Sequence, residues 1–329
     1  MQFNITHYHI YIMDIIDLVH KQKSDFNELV HKRHSERFYF QKNKVNMDAK
    51  KLLDDYCSTL TLGPFGTKTI IASTDQYMGT FKVIQYEGDK TQCPYYYIGA
   101  IASNLANPLK IGLIDFGYNF EKLILFATQL GFGTCWLGGT YHTAEAENCL
   151  KLEKGIPHKI VCISPVGVCK KPSEYGFLQK ILNKMLSGAH SRIPLHKIFF
   201  VNDFNNPLRP DHPPDALKIQ YSIKAKQSAL MAILDSFRWS PSASNSQSWR
   251  VLFMEKEKCF AFFTSSSSSF YKFIDIGIGM LHWEAAAIEY GMKGHWDIDN
   301  TLKWSTQYFK DLKIKLPSFC TYHFAWVME

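Results

Sequence analysis

Long apolar runs are missing from this sequence. No stretch approaches the roughly 18 to 20 uninterrupted apolar residues that cross a bilayer. Residues 1–23 are partly apolar, but Asn4, histidines and aspartates interrupt them, and no small-residue cleavage site follows. We therefore expect neither a membrane span nor a secretory signal. Met13 is an alternative start to Met1, because the helix-like segment "MDIIDLVHK" begins there.

Signatures of metal and dinucleotide binding are missing as well. The eight cysteines have scattered spacings without a C-x-x-C pair, and neither H-E-x-x-H nor G-x-G-x-x-G occurs. Such cysteines are typical of reduced, buried side chains in a cytoplasmic protein. The sequence therefore predicts no metal site, no separate dinucleotide-binding domain and a cytoplasmic location.

The charge distribution gives no sign of a nucleic-acid partner. The net charge is +7 over 329 residues, and the basic residues are interspersed with acidic ones. No long basic run or aromatic and basic recognition motif appears. Hydrophobic residues make up 46% and charged residues 20%, which is typical of a folded globular protein.

An internal repeat is the first positive feature. The segment "LIDFGYNFEKLILFATQLGFGTCW" begins at residue 113, and "FIDIGIGMLHWEAAAIEYGMKGHW" begins at residue 273. Six identities recur at a constant separation of 160 positions: Ile114 and Ile274, Asp115 and Asp275, Gly117 and Gly277, Ala127 and Ala287, Gly131 and Gly291, Trp136 and Trp296. Two copies at so long a period indicate two fused, similar domains, with a predicted boundary between 1–187 and 188–329.

Each copy predicts a long helix. In the first copy, Phe116, Phe120, Leu123, Ile124, Ala127 and Leu130 fall on one face at helical spacing. Asp115 and Asp275 stand where an N-cap is expected, and Gly131 and Gly291 stand where a helix stops. The small residues Ala285, Ala286 and Ala287 allow another helix to approach closely, as at a subunit interface.

Strand-like runs surround these helices. They are "TIIAS", "TFKVIQY", "PYYYIGAI", "IVCISPVGV", "WRVLFMEK", "KCFAFF" and "TYHFAWVM". The charged "MEKEK" predicts a hairpin turn, residues 202–216 predict a loop, and the serine run 265–269 predicts a mobile one. Hairpins that alternate with helices favour an α+β class, with mixed or antiparallel sheets packed by helices in two fused half-domains.

Two polar segments suggest a binding site. "KRHSERFYF" places Arg33, Ser35 and Arg37 at alternate positions, so an extended backbone projects two guanidinium groups and a hydroxyl from one face. "SPSASNSQSW", from residue 240, crowds hydroxyls and two amides where a helix stops and a strand begins. A helix-ending turn explains this crowding, and so does a polar binding site for a ligand.

Together with "LGFGTCWLGG", these segments resemble the nitroreductase superfamily of FMN-dependent oxidoreductases. The family pattern is R-x-S-x-R-x-[FY], P-S-x-x-N-x-Q before W-[RK], and L-G-x-G-[ST]-x-W, and the likeness extends from about residue 20 to the C-terminus. The matches are Arg33, Ser35, Arg37 and Phe38; Pro241, Ser242, Asn245, Gln247, Trp249 and Arg250; and Leu130, Gly131, Gly133, Thr134 and Trp136. Ser240 and Ser248 replace the usual Ala and Pro.

The resemblance implies roles for these residues but no catalytic acid or base, since the flavin carries the chemistry. Arg33 and Ser35 are expected at the FMN phosphate, and Arg37 near the ribityl chain and the pyrimidine edge of the flavin. Lys170 or Lys171 is expected as a second phosphate contact, although this match is loose. Other expected contacts are Ser240, Ser242, Asn245 and Gln247 with the flavin ring edge and ribityl hydroxyls, Pro241 in the turn, and Gly138 and Gly139 where backbone approaches the ring. Trp249 is expected in the core.

The motifs are divided unequally between the two halves. The first half carries R-x-S-x-R, whereas its counterpart of the amide motif, near "TLGPFG", lacks Asn and Gln. The second half carries the amide motif, whereas "SRIPLHKIFF" retains only Arg192 of the first, and no role in flavin binding is expected for it. The resemblance is to tandemly duplicated nitroreductases, in which one chain acts as a monomeric mimic of the homodimer with one surviving flavin site.

The implied activity is an FMN oxidoreductase with a two-step cycle. NAD(P)H is the transient electron donor, and a nitroaromatic, a quinone or a similar electron-poor small molecule is the acceptor. Two alternatives stay open at this point. One is a non-catalytic flavin-binding protein or pseudoenzyme on the same scaffold, and the other is a reductive dehalogenase or flavin-processing enzyme, although no lid segment is identified.

Overall fold

The chain folds into two compact units. The computed structural model describes residues 25–80, 83–102, 109–150, 157–177, 179–181, 191–218, 228–265, 270–297, 306–317 and 320–329. The first unit contains Glu28–Ser191, and the second contains Asp25–Asn27 and Arg192–Glu329. The predicted boundary after residue 187 stays a prediction. The predicted features of residues 1–23 and most of the serine run 265–269 lie outside the described residues.

The first unit combines short strands with one long helix. Its helices are α1 (Phe26–Lys32, whose first two residues belong to the second unit), α2 (Met47–Thr59), α3 (Leu109–Gln129) and α4 (Thr143–Cys149). Its strands are β1 (Phe38–Tyr39), β2 (Thr69–Thr74), β3 (Gln85–Tyr86), β4 (Tyr95–Ala102), β5 (Gly133–Thr134) and β6 (His158–Gly167). Asn46 caps α2 through its side chain, which accepts hydrogen bonds from two backbone N–H groups.

Two sheets form in the first unit. The larger has the order β2-β4-β6-β5 and is antiparallel throughout. The smaller pairs β1 with β3 in parallel. Side chains from β4 and β6, including Tyr96, Ile98 and Ile163, are buried in a shared apolar cluster with Tyr39 of β1. This cluster fixes the backbone that follows the Arg33–Arg37 segment.

The second unit is built around a larger sheet. Its helices are α5 (Asp215–Lys218), α6 (Ser228–Arg238), α7 (Lys272–Glu289) and α8 (Thr306–Asp311). Its strands are β7 (Phe199–Val201), β8 (Asp203–Pro207), β9 (Trp249–Met254), β10 (Cys259–Thr264), β11 (Gly294–Asp297) and β12 (Thr321–Met328). The sheet order is β11-β12-β10-β9-β7-β8, and only the β7–β9 pair among these is parallel.

Aromatic side chains fill the core of the second unit. The Trp283 ring on α7 lies 4.6 Å from Phe260 and 5.2 Å from Phe262 of β10, measured between ring centroids. Trp249 is fully buried, and its ring centroid is 5.5 Å from that of Phe237 on α6. Trp249 is therefore a core residue, as predicted.

The two long helices are buried on all sides. Every residue from Gly112 to Gln129 is buried in α3, and every residue from Ile274 to Ala287 is buried in α7. The two predicted long helices are present, and both are core helices. Buried polar groups on α3 make compensating contacts, such as the hydrogen bond of 3.0 Å from Asn119 Nδ2 to Thr69 Oγ1.

The α+β class with antiparallel and mixed sheets is confirmed. The predicted strands match β2, β4, β6, β9, β10 and β12, and the "MEKEK" turn joins β9 to β10. Gly131 and Gly291 end their helices with φ angles of 83° and 80°, as predicted. In "TFKVIQY", however, only Gln85–Tyr86 forms a described strand, and the predicted loop 202–216 contains β8 and the first two residues of α5.

No helix among the described residues is long and apolar enough to span a bilayer.

Candidate functional site

In the first unit, residues 33–37, which we call the arginine segment, form an extended connection between α1 and β1. Ser35 forms a parallel bridge with Thr134, and Glu36 N donates a hydrogen bond of 2.7 Å to Thr134 O. On the other side, Gln85 N donates to Arg37 O at 2.8 Å. The predicted extended conformation is present, and it brings the first sequence motif against the third.

Cys135 follows Thr134, which pairs with Ser35 of the arginine segment, and its thiol is buried. Burial raises the pKa of this thiol, while the positive charges of Arg37 and Arg33 and a hydrogen bond with Ser35 act in the opposite direction. Arg37 Nη1 also donates to Ser35 O at 3.3 Å.

Arg33 is a buried cation. Its relative exposure is 5%, and its buried Nε has no hydrogen-bond partner among the described residues. Burial lowers the pKa of Arg33, and the nearby carboxylate of Glu121 opposes this effect. Glu121 itself accepts a hydrogen bond of 2.9 Å from Trp136 Nε1. A buried guanidinium N–H without an acceptor is costly, so this position favours a bound anion.

The remaining predicted residues of the first unit have different surroundings. Lys170 N donates to Phe38 O at 2.9 Å, which places it beside β1, and its Nζ forms an ion pair of 2.6 Å with Glu87. Lys171 is exposed at the start of a 3₁₀ turn. Gly138 and Gly139 lie in an exposed bend after Leu137. Of the two lysines, Lys170 is therefore the one beside the strand that follows the arginine segment, and its ammonium is paired with Glu87.

In the second unit, residues 240–247, which we call the amide loop, join the end of α6 to the start of β9. A 3₁₀ turn covers Ala243–Asn245, and the φ angles of Ser244, Asn245 and Gln247 are 53°, 53° and 47°. Non-glycine residues rarely adopt positive φ, and such backbone is held only by strong surrounding contacts. The backbone of this loop is therefore held by its surroundings.

Asp275 supplies one of these contacts. Its Oδ1 accepts a hydrogen bond of 2.9 Å from Ala243 N, and its Oδ2 lies 3.5 Å from Ser246 Oγ. Burial raises the pKa of Asp275 to about 7, with those two hydrogen bonds acting in the opposite direction. The predicted N-cap role is wrong, because α7 already begins at Lys272 and the carboxylate binds the amide loop.

Other contacts hold the polar side chains of the amide loop. Asn245 Oδ1 accepts from Arg192 Nη1 at 3.2 Å, and Gln247 Oε1 accepts from Ile193 N at 2.9 Å. Ser242 Oγ accepts from Gln247 N at 3.0 Å. Ser240 is fully buried, and its Oγ has no hydrogen-bond partner among the described residues. These contacts hold Ser242, Asn245 and Gln247 in one turn, and Ser240 begins the same loop.

The first unit has a matching loop without amides. Asp115 Oδ1 accepts from Phe65 N and Oδ2 from Thr67 N, each at 2.7 Å. Burial raises the pKa of Asp115 to about 7, as it does for Asp275. Asp115 lies inside α3, so its predicted N-cap role is also wrong. The equivalent aspartates therefore accept hydrogen bonds from the backbone of the preceding loop in both units. Only the second loop has Asn and Gln side chains.

Several site residues were not predicted from the sequence. Cys135 and Glu121 lie beside the arginine segment, and Arg192 binds a side chain of the amide loop. The internal repeat marks Asp115 and Asp275 as equivalent residues, but it does not predict which backbone groups they bind. No group of three or more potential metal ligands occurs among the described residues.

Comparisons with known proteins give one family and one fold. Residues 25–287 match the family model described as "Putative TM nitroreductase". The crystal structure of a nitroreductase from Thermotoga maritima, itself described as putative, is 15% identical with a TM-score of 0.50, covering 92% of this chain and 93% of that one. This similarity shows the nitroreductase fold, as predicted. Among curated proteins, no sequence matches the chain.

Two structures described as having bound FMN match about half of this chain. One, described as a putative nitroreductase in complex with FMN from Exiguobacterium sibiricum, is 16% identical with a TM-score of 0.36 and covers 49% of this chain and 96% of its own. Another, a nitroreductase with bound FMN from Bacteroides fragilis, is 19% identical with a TM-score of 0.31 and covers 44% of this chain and 87% of its own.

Proposed function

Because this chain belongs to the TM nitroreductase family, we propose that it is an FMN-dependent oxidoreductase that takes electrons from NAD(P)H and passes them to an electron-poor small molecule. Nitroaromatics and quinones are the acceptor classes. The observation that carries the proposal is the buried Arg33 guanidinium, whose Nε has no protein partner among the described residues.

The arginine segment fits an anionic group such as the FMN phosphate. Arg33 and Ser35 would hold the phosphate, because a guanidinium and a hydroxyl are strong donors to its oxygens. Arg37, further along the same extended segment, would keep positive charge near the bound cofactor. Lys170 is a weaker candidate for the phosphate, since its ammonium is already paired with Glu87.

The amide loop fits the polar part of a flavin. The buried Ser240 hydroxyl, which has no hydrogen-bond partner in the described part of the chain, offers a polar group to the ring edge and ribityl chain, together with Ser242, Asn245 and Gln247. Pro241 fixes φ at the start of the turn. Gly138 and Gly139 add exposed backbone without side chains, where a flat ring can approach.

Bound FMN would supply the hydride and electron chemistry, and the protein would supply binding, orientation and charge. No side chain is assigned as a catalytic acid or base. The basic groups of the arginine segment would favour the negatively charged reduced cofactor.

We further propose that the chain is a duplicated protein that binds one FMN and acts as a cytoplasmic monomer. The matching aspartate contacts, Asp115 with Phe65 and Asp275 with Ala243, support the duplication. Only one set of each motif is present, since the first loop lacks amides and the second half lacks R-x-S-x-R.

A binding and reduction experiment tests this function. The purified full chain is titrated with FMN, followed by flavin fluorescence, and NADH or NADPH is then added without oxygen. We expect FMN binding, and bleaching of the visible flavin absorption by one of the two donors. A chain that binds no FMN would overturn the proposal.

A flavin-loaded chain that neither donor bleaches would instead identify a non-catalytic flavin-binding protein. Nitroaromatic and quinone acceptors are then compared by the rate at which each restores the flavin absorption. Arg209→Ala serves as the control variant for binding, because Arg209 is exposed and lies outside both motifs.

A further inference from the structure

The Arg192 side chain contacts both Trp239 and Asn245 in the second unit. Its Nη1 donates to Asn245 Oδ1 at 3.2 Å, and its Nη2 donates to Trp239 O at 3.4 Å. The guanidinium also lies over the Trp239 ring, 4.6 Å from the ring centroid. One side chain thus joins the residue that follows α6 to the middle of the amide loop. From the sequence alone, Arg192 was only a remnant of a lost motif.

The backbone next to Arg192 holds the second amide in the same way. Ile193 N donates to Gln247 Oε1 at 2.9 Å, and Gln247 Nε2 donates to Asn245 O at 3.3 Å. The segment Arg192–Ile193 therefore binds the carbonyl oxygens of both amide side chains. It contacts the loop where Asn245 and Gln247 have positive φ, which is where the backbone most needs support.

A carboxamide has two ends with opposite hydrogen-bonding character. An arginine donates only, so it selects the oxygen end of Asn245 and turns the NH₂ end elsewhere. The planar side chain then has one orientation instead of two. A ligand that meets the NH₂ end of Asn245 must offer a hydrogen-bond acceptor.

We propose that Arg192 is a positioning residue that orients the Asn245 carboxamide as a donor to acceptor atoms of the bound flavin. This inference rests on the proposed FMN function. It assigns to the second half's remaining motif arginine a role different from that of Arg33: Arg33 meets the ligand's anionic group, whereas Arg192 acts through a neighbouring side chain.

The test is a double-mutant cycle read out as FMN affinity. Arg192→Ala is expected to weaken FMN binding about tenfold, and Asn245→Ala by at least as much. The double variant is expected to bind no more weakly than Asn245→Ala alone, because Arg192 acts only through Asn245. Lys197→Ala, an exposed change in the same segment, is the control and should bind FMN as the wild type does.

Asn245→Asp separates orientation from simple support of the loop. The carboxylate of the new Asp side chain keeps and strengthens the contact with Arg192, but it lacks the NH₂ donor. The urea midpoint of unfolding should therefore stay at the wild-type value, while FMN affinity should fall as in Asn245→Ala. This variant also serves if Arg192→Ala does not fold.

The possible failures are distinct. If the wild type binds no FMN, the proposed function and this inference both fall. If it binds FMN but the two alanine changes are additive, or Asn245→Asp binds as the wild type does, only the role of Arg192 is overturned.

Discussion

The carboxylate of Asp275 accepts a hydrogen bond of 2.9 Å from Ala243 N, which precedes it by 32 residues in the chain. The first unit repeats this relationship, because Asp115 accepts from Phe65 N and Thr67 N. A buried helix thus holds the turn of an earlier loop through a carboxylate in each unit. In the second unit, that loop carries the amides of the candidate site.

The raised pKa of Asp275 predicts a pH-dependent stability. Its pKa is about 7 in the folded chain, against an ordinary value of about 4. Its contribution to stability is therefore fully present below about pH 4 and is lost as the pH rises to about 7. From about pH 5 to about pH 8, Asp275→Asn should gain about 2 to 3 kcal/mol relative to the wild type.

Urea unfolding of the wild type and Asp275→Asn, without FMN and at both pH values, measures this difference. Asp115→Asn should show the same sign, because burial raises the pKa of Asp115 to about 7 as well. A gap between variant and wild type that does not change with pH would contradict the prediction.

The two aspartates also predict a separation of stability from binding. Asp275→Ala removes the acceptor of one backbone N–H, that of Ala243, and Asp115→Ala removes the acceptors of two, those of Phe65 and Thr67, so each should cost roughly 1 to 3 kcal/mol of unfolding free energy. Only Asp275→Ala should reduce FMN affinity, because only its loop carries the amides. Denaturant unfolding and FMN titration of both variants test this, and equal losses of affinity would argue against it.

Arg33→Ala should weaken FMN binding by about 10- to 150-fold. Charge-assisted hydrogen bonds of this kind contribute roughly 1.5 to 3 kcal/mol. The change removes a buried cation whose Nε has no partner among the described residues, but also the positive charge near the buried Glu121, so the stability of the apoprotein is measured alongside by urea unfolding. Arg209→Ala is the matched control, and FMN affinity kept by Arg33→Ala would exclude Arg33 from the site.

Gly133 should tolerate no side chain. An added Cβ would overlap the sulfur of Cys169 and lie 2.7 Å from Glu36 Cγ, so Gly133→Ala should displace the arginine segment and weaken FMN binding. At Gly131, with φ at 83° and no atom within 4 Å of an added Cβ, the change to Ala should cost roughly 1 to 2 kcal/mol of backbone strain. FMN affinity should survive in Gly131→Ala, and equal affinities in both variants would refute this prediction.

The proposed duplication predicts one FMN per chain and activity at monomer mass. Flavin absorbance against protein concentration gives the stoichiometry, and sedimentation of the loaded protein gives the mass. Two flavins per chain would show that both sets of motifs are functional. A flavin-loaded species found only at dimer mass would contradict the monomer.

Local sequence patterns predicted the elements well but not the contacts between distant residues. The strands β9, β10 and β12 and the helix stops at Gly131 and Gly291 follow from residue types that act over a few positions. The strand β8 was missed because "DFNNP" has little strand propensity, and it forms by pairing with β7.

The same limit applies within the site. The extended backbone of the arginine segment was predicted, since it depends on neighbouring residues alone. Asp275 was taken for an N-cap because an aspartate before an apolar run usually is one. Its true partner, Ala243, and the Arg192 contact with Asn245 join residues 32 and 53 positions apart, which no local pattern specifies.

The position of β12 has a consequence for synthesis of the chain. This strand, Thr321–Met328, follows the other described strands in sequence but lies between β10 and β11 in the sheet. Until residues 321–328 leave the ribosome, β10 and β11 keep open edges, and exposed edges of apolar strands recruit other chains. A premature stop before residue 321 would therefore produce an aggregating product, even though the arginine segment and the amide loop would both be complete in it.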